Sequence, residues 1–144
     1  MFSKACEYGI RAMIYITAAS KEGEKMSIKD ICHAIGAPEH FTAKILQDLS
    51  RKKLVSSLKG PSGGFFMEDE QRNITLMEIV EAIDGNSLFT GCGLGLKQCS
   101  ELHPCPIHNK FKSIRDSLQK MLMETTVLQL TQNLEKGLVF LKKN

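Results

Sequence analysis

Apolar positions along this chain recur mostly every three or four residues, a period that predicts helices. Between residues 3 and 20, Cys6, Ile10, Met13, Ile14 and Thr17 share one helical face, and Ser3 stands where an N-cap hydroxyl is wanted. Lys21-Glu22-Gly23-Glu24-Lys25 is a polar turn. Ser27-Ile28-Lys29-Asp30 follows the pattern of a capping box with Asp in place of Glu, and starts a second helix. Ile28, Ile31 and Ile35 form its buried stripe, and Gly36 ends it. Pro38 suits the first turn of a third helix, where the amide hydrogen it lacks would be unpaired anyway. Phe41, Ile45 and Leu49 make that helix's core face, leaving His40, Thr42, Lys44 and Gln47 outward or flanking.

The period then changes. Leu54 to Leu58 reads as a short strand, Lys59-Gly60-Pro61-Ser62-Gly63-Gly64 as a turn-rich tip, and Phe65-Phe66-Met67 as the returning strand. Two short helices joined at a glycine and followed at once by a hairpin are the layout of a winged helix-turn-helix. Thr75-Leu76-Met77-Glu78 is a full capping box, predicting a fourth helix over 76–84 that Gly85 stops. Residues 86–107 hold Gly91, Gly93, Gly95 and Pro104 around three cysteines and read as a loop that a ligand or partner orders. From 107 the helical period returns through Ile107, Phe111, Ile114, Leu118, Met121 and Leu122, a stripe that needs a partner surface. A second copy of the same helix is the economical one. A further short helix with Val127, Leu128 and Leu130 is expected in the tail. The expected fold is mainly α with a small β-hairpin wing, organised as residues 1–85 (DNA-binding), 86–107 (cysteine-rich cofactor loop) and 108–144 (dimerisation helix and tail).

At 144 residues the chain suits one core with an appendage. No apolar run approaches the roughly 20 residues of a membrane span, and the N-terminus lacks the basic-then-apolar layout of a secretion signal. A cytoplasmic protein is expected. Paired acids and bases, a phosphate-binding glycine loop and a nucleophile–base pair are all missing, which argues against an enzyme. Net charge is only +3, but residues 44–60 carry five basic side chains against one acid. That local excess fits a polyanion such as double-stranded DNA. The third helix is the element a major groove admits. Ser27, Pro38, His40, Thr42, Lys44, Gln47 and Arg51 are its candidate contacts, with Lys52 and Lys53 as further phosphate neutralisers. Lys59 and Gly60 at the hairpin tip are expected to touch backbone or minor groove.

Of five cysteines, Cys92, Cys99 and Cys105 fall within fourteen residues, and His108 follows at the head of the next helix. Three thiolates and an imidazole match an iron–sulfur cluster or a tetrahedral zinc. Structural zinc sites usually pair close cysteines, and the wider gaps here favour the larger cofactor. A metal-free loop of reactive thiols is the alternative, and His103 is a competing ligand. Cys6 and Cys32 lie on or beside apolar faces and read as small buried residues. Glu7 reads as an i,i+4 partner of Arg11.

These features together resemble the IscR/NsrR family of bacterial winged-helix regulators over nearly the whole chain. The resemblance is carried by Tyr8-Gly9-Ile10-Arg11-Ala12, by Ser27 to Ile31, by Phe41 to Leu49, and most specifically by Leu54-Val55-Ser56-Ser57 leading into Lys59 to Phe65. It implies a homodimer joined by the long helix, a near-palindromic operator, and a cluster on the three loop cysteines. The fourth ligand it implies is either a histidine placed like His108 or an acidic residue of the partner's first helix placed like Glu7. His108 is preferred, for its spacing after Cys105. A 2Fe–2S cluster is expected before a 4Fe–4S one, in a repressor whose operator binding follows cluster or redox state. The family also implies a fallback: a cluster-free regulator answering to a small molecule, thiol oxidation or a protein partner. The first cysteine gap is one residue wider than is usual among these sensors, and Ala43 stands where IscR has a glutamate involved in operator choice.

Overall fold

A hydroxyl opens the first helix. In the computed structural model, which describes residues 1–142, Ser3 accepts from the Cys6 amide at 3.0 Å and α1 runs Lys4–Ala19. Cys6, Ala12, Met13 and Ile16 are fully buried, because α1 is covered on several sides. It packs against α2 (Ile28–Ile35), α3 (Glu39–Arg51), α4 (Leu76–Asp84) and α7 (Val127–Glu135). Glu7 does not pair with Arg11 as expected. It pairs with Lys4 at 3.3 Å, while Arg11 reaches the Ile35 carbonyl at 2.9 Å and so ties α1 to the end of α2.

Ser27 caps α2 by accepting from the Asp30 amide at 3.1 Å, and Gly36 closes it at φ 67°. A residue without Cβ holds that left-handed bend at little cost. Pro38 lies one position earlier than expected: it is the N-cap of α3, with φ −68° and ψ 133°, and Glu39 takes the first helical position. The buried stripe of α3 is Thr42, Ile45, Leu46 and Leu49. Each residue turns the helix by about 100°, so a stripe centred there swings Phe41 to the edge. Phe41 is 42% exposed and meets the Tyr8 ring edge-on at 5.8 Å.

The chain leaves α3 through Lys53 at φ 65°. Val55 anchors in the core, so the pairing begins only at Ser56. β1 (Ser56–Leu58) and β2 (Gly64–Phe66) are antiparallel, with Ser56 opposite Phe66 and Leu58 opposite Gly64. Phe65 also exchanges two 2.8 Å bonds with Met26, docking the hairpin on the approach to α2. Gly64, at φ 146°, makes this possible: a Cβ there would come within 2.6 Å of the Met26 carbonyl oxygen. Buried Gln71 pins the hairpin's root, donating to the Lys53 carbonyl at 3.1 Å and accepting from Ser56 Oγ at 3.2 Å.

The Thr75 capping box starts α4 where the sequence predicts it. Part of the expected loop is a short helix, α5 (Ser87–Thr90), because Phe89 finds a buried place. The long helix α6 (His108–Glu124) carries two stripes where one was expected. Ile107, just before it, with Ile114 and Met121, face outward at 38%, 66% and 48% exposure. His108, Arg115 and Leu122 face inward and are buried. The tail then folds back: Leu76 N–H donates to the Thr125 carbonyl and Val127 N–H to that of Ile74, each at 2.9 Å, seating α7 on α1. Residues 143 and 144, the end of the expected C-terminal segment, lie outside the described residues.

Candidate nucleic-acid interface and cysteine loop

One face collects most of the cations predicted to meet a polyanion. His40, Lys44, Gln47 and Arg51 are exposed along α3, Lys59 and Gly60 at the hairpin tip, and Ser27 and Pro38 at the starts of α2 and α3. Between α3 and the wing lies a cleft of about 470 Å³ that brings Gln47, Arg51 and Lys59 together. A 3.0 Å contact between Ser50 Oγ and Ser57 Oγ fixes the wing against the helix. Arg51 is paired with Asp48 on its own helix, but both are well exposed, so the pair is weak and yields to a phosphate. Lys52 points elsewhere, donating to the Ala82 carbonyl at 2.6 Å at the end of α4.

Thr42 does not belong to this face. It is fully buried beside the Cys32 thiol, and its hydroxyl has no oxygen or nitrogen partner. The polar residue looked outward in the sequence because the apolar pattern put Phe41 inward. Thr42→Val is therefore expected to leave duplex binding unchanged and to raise stability by about 1 kcal/mol, since a buried hydroxyl with at best a weak sulfur partner is lost. Chemical denaturation and a gel-shift assay check both. Weakened binding without loss of fold would return Thr42 to the interface.

Beyond α4 along the chain, the cysteines are held by backbone and by α6. Cys92 Sγ accepts from the Leu94 amide at 3.4 Å. The amides of Leu94 and Leu96, helped by the Cys105 thiol, pull the Cys92 thiol below its ordinary range against the opposing effect of desolvation. Cys99 Sγ lies 3.3 Å from Nδ1 of His108, which is buried in the first turn of α6. Of the predicted ligands the structure brings Cys99 and His108 into contact, and the Cys105 carbonyl accepts from the His108 amide at 3.0 Å. Among the described residues no three of His, Cys, Asp or Glu converge tightly enough to hold a single metal ion. His103 is exposed, with its amide on Ser100 Oγ at 3.3 Å. Cys6 and Cys32 are buried. Burial, reinforced by Asp84, pushes the Cys6 thiol up to about 12, and burial raises that of Cys32, so both stay protonated.

Arg115 was missed from the sequence. It is 9% exposed and donates from a guanidinium N–H to the Gly91 carbonyl at 3.1 Å. The signal was available: Arg115 follows His108 by seven residues, two turns further along the same helical side.

A helix presenting cations, braced by a second helix and joined to a hairpin that extends the same charged face, defines a winged helix-turn-helix DNA-binding protein. Residues 2–133 match the Rrf2 family, described as iron-dependent transcriptional regulators, and the chain belongs to that family. It is 30% identical over 140 residues to a protein of Aquifex aeolicus assigned as an HTH-type transcriptional regulator, covering 96% of each. It is 27% identical over 128 residues to the HTH-type transcriptional regulator IscR of Escherichia coli, covering 89% of this chain and 78% of that one. Its fold is similar to that of CymR, the global cysteine regulator of B. subtilis (TM-score 0.72, 24% identity, 91% and 95% of the two chains). It is similar also to T. potens IscR (TM-score 0.72, 21% identity, 96% and 91%). The protein is a transcription regulator and not an enzyme. No helix among the described residues is long and apolar enough to cross a membrane.

Proposed function

We propose that the protein is a cytoplasmic homodimeric repressor that binds a near-palindromic operator through α3 and the wing. Its grip is set by a 2Fe–2S cluster on Cys92, Cys99, Cys105 and His108. In this reading residues 1–85 contact DNA, residues 86–107 carry the sensor, and α6 within 108–144 makes the dimer. The observation that carries the cluster is the gathering of donors at the head of α6, where Cys99 Sγ lies 3.3 Å from His108 Nδ1 and the Cys105 carbonyl accepts from the His108 amide at 3.0 Å. A two-iron cluster takes two protein ligands on each iron, and three thiols with one imidazole supply the four. A structural zinc needs all four around one ion. When bound, such a cluster supplies an anionic centre sensitive to electrons, oxygen and nitric oxide.

The chain's own residues do the rest. The Leu94 N–H stabilises negative charge on the Cys92 sulfur. His108 as a ligand in place of a fourth thiolate would keep the potential above that of an all-thiolate site. His108 also sits in the first turn of the helix whose outer face carries Ile114 and Met121. Loss of its loop contact therefore acts on the dimer helix, and so on the separation of the two α3 readers. The loop shifts that balance only as far as its bound and unbound forms favour different arrangements.

Anaerobic reconstitution with iron and sulfide is expected to give a visible chromophore with about two irons per protomer. Cys92, Cys99 and Cys105 changed together to alanine should abolish it, whereas Glu7→Gln, whose carboxylate is engaged by Lys4, should leave the spectrum unchanged. A parent that stays colourless would sink the cluster reading and favour a cluster-free regulator of the same fold.

A further inference from the structure

We infer that Arg115 is the counter-cation of the cysteine loop, a positioning residue that clamps its first corner and balances the negative charge its sulfurs carry. The inference rests on the cluster reading above and extends it to a residue outside the ligand set.

A buried guanidinium is costly to keep unless an anion offsets it. Arg115 is 9% exposed, its Nε has no hydrogen-bond partner, and its one hydrogen bond runs to the neutral Gly91 carbonyl at 3.1 Å. None of the ion pairs among the described residues includes it. The acids nearest in sequence and on the loop, Asp116 and Glu101, are both taken by Lys112, each at 3.5 Å. The segment that Arg115 touches has no acid to offer: residues 85–100 contain neither Asp nor Glu. The group next to Gly91 that can carry negative charge is the Cys92 sulfur.

The helix places Arg115 for this role. His108, Phe111 and Arg115 step along the inward side of α6 at intervals of three and four residues. His108 meets Cys99 at 3.3 Å. The Phe111 ring lies against Gly93, where a Cβ would come within 2.9 Å of it. Arg115 holds Gly91. Cys92 is thus bracketed by two backbone positions that α6 grips, one of them by a cation.

Reduction adds one electron and one negative charge to the centre, so a fixed cation beside it favours the reduced form and raises the potential. Arg115→Met removes the charge at similar volume, Arg115→Gln keeps a donor without the charge, and Arg115→Lys keeps the charge. The reconstituted proteins are titrated anaerobically with dithionite and the potential is read from the spectrum. In Met and Gln the ratio of reduced to oxidised protein at a fixed poise is expected to fall about tenfold, equivalent to about 59 mV for one electron, with most of it restored in Lys. Circular dichroism of the apo proteins checks the fold, and where Arg115→Met does not fold, Arg115→Gln carries the test. A loaded parent whose potential is unmoved by loss of the charge overturns this inference and leaves the cluster standing. A parent that takes up no cluster overturns both.

Discussion

Changing Lys44, Arg51 and Lys59 together to glutamine abolishes retention of mixed-sequence duplex DNA at near-physiological salt. The three side chains are exposed on α3 and the wing, and Arg51 and Lys59 line one cleft, so in the proposed reading they would meet one run of phosphates. Each phosphate neutralised contributes about 0.9 to the slope of log affinity against log salt. Three contacts in each of two protomers then lower that slope by about 5. The substitutions leave the core untouched, so circular dichroism should be unchanged. A salt titration by fluorescence anisotropy gives the result directly. Parent-like retention by the triple variant would show that this face does not meet DNA.

The second large effect concerns the outer side of α6. Ile107, Ile114 and Met121 are spaced by sevens and exposed, as are Met123 and Leu128 beyond them. A row of apolar residues at that interval is the seam of a helix pair. Ile114, 66% exposed, lies outside the core, so Ile114→Glu should fold and yet sediment as a monomer. Joining two readers makes the second half-site contact intramolecular, and its loss lowers affinity for a two-half-site duplex by about 100- to 10,000-fold. Analytical ultracentrifugation decides the first part and a binding titration the second. A variant that remains dimeric moves the interface to another surface.

The two predictions use residues that were unequally visible. Lys44, Arg51 and Lys59 stood out because a charge on a short capped helix or a glycine-rich tip has nowhere to go but solvent. The α6 residues were seen, but as one stripe. Counting apolar positions cannot separate a helix with two apolar sides, because Ile107, Ile114 and Met121 interleave with Phe111, Leu118 and Leu122. Arg115 was invisible to that count, since a charged residue on a helix reads as solvated until something is shown to cover it. Thr42 and Phe41 exchanged places for a similar reason. Hydrophobicity ranks the phenylalanine as core, yet the packing direction of α3 against α1 put the threonine inside and left the ring at the edge beside Tyr8.

Local chemistry determined where most elements begin and end. Ser3, Ser27 and Thr75 cap helices, Gly36 stops one, and the run from Lys59 to Gly64 turns a hairpin, because each satisfies or breaks backbone hydrogen bonds within a few residues of itself. It also determined that three cysteines and a histidine are close along the chain. Tertiary structure decided what those elements share: that α7 returns to α1, that Cys99 meets His108, and that a buried arginine holds the loop at Gly91. Those outcomes depend on contacts between segments far apart along the chain, set by how whole faces pack, and no short window of residues contains them.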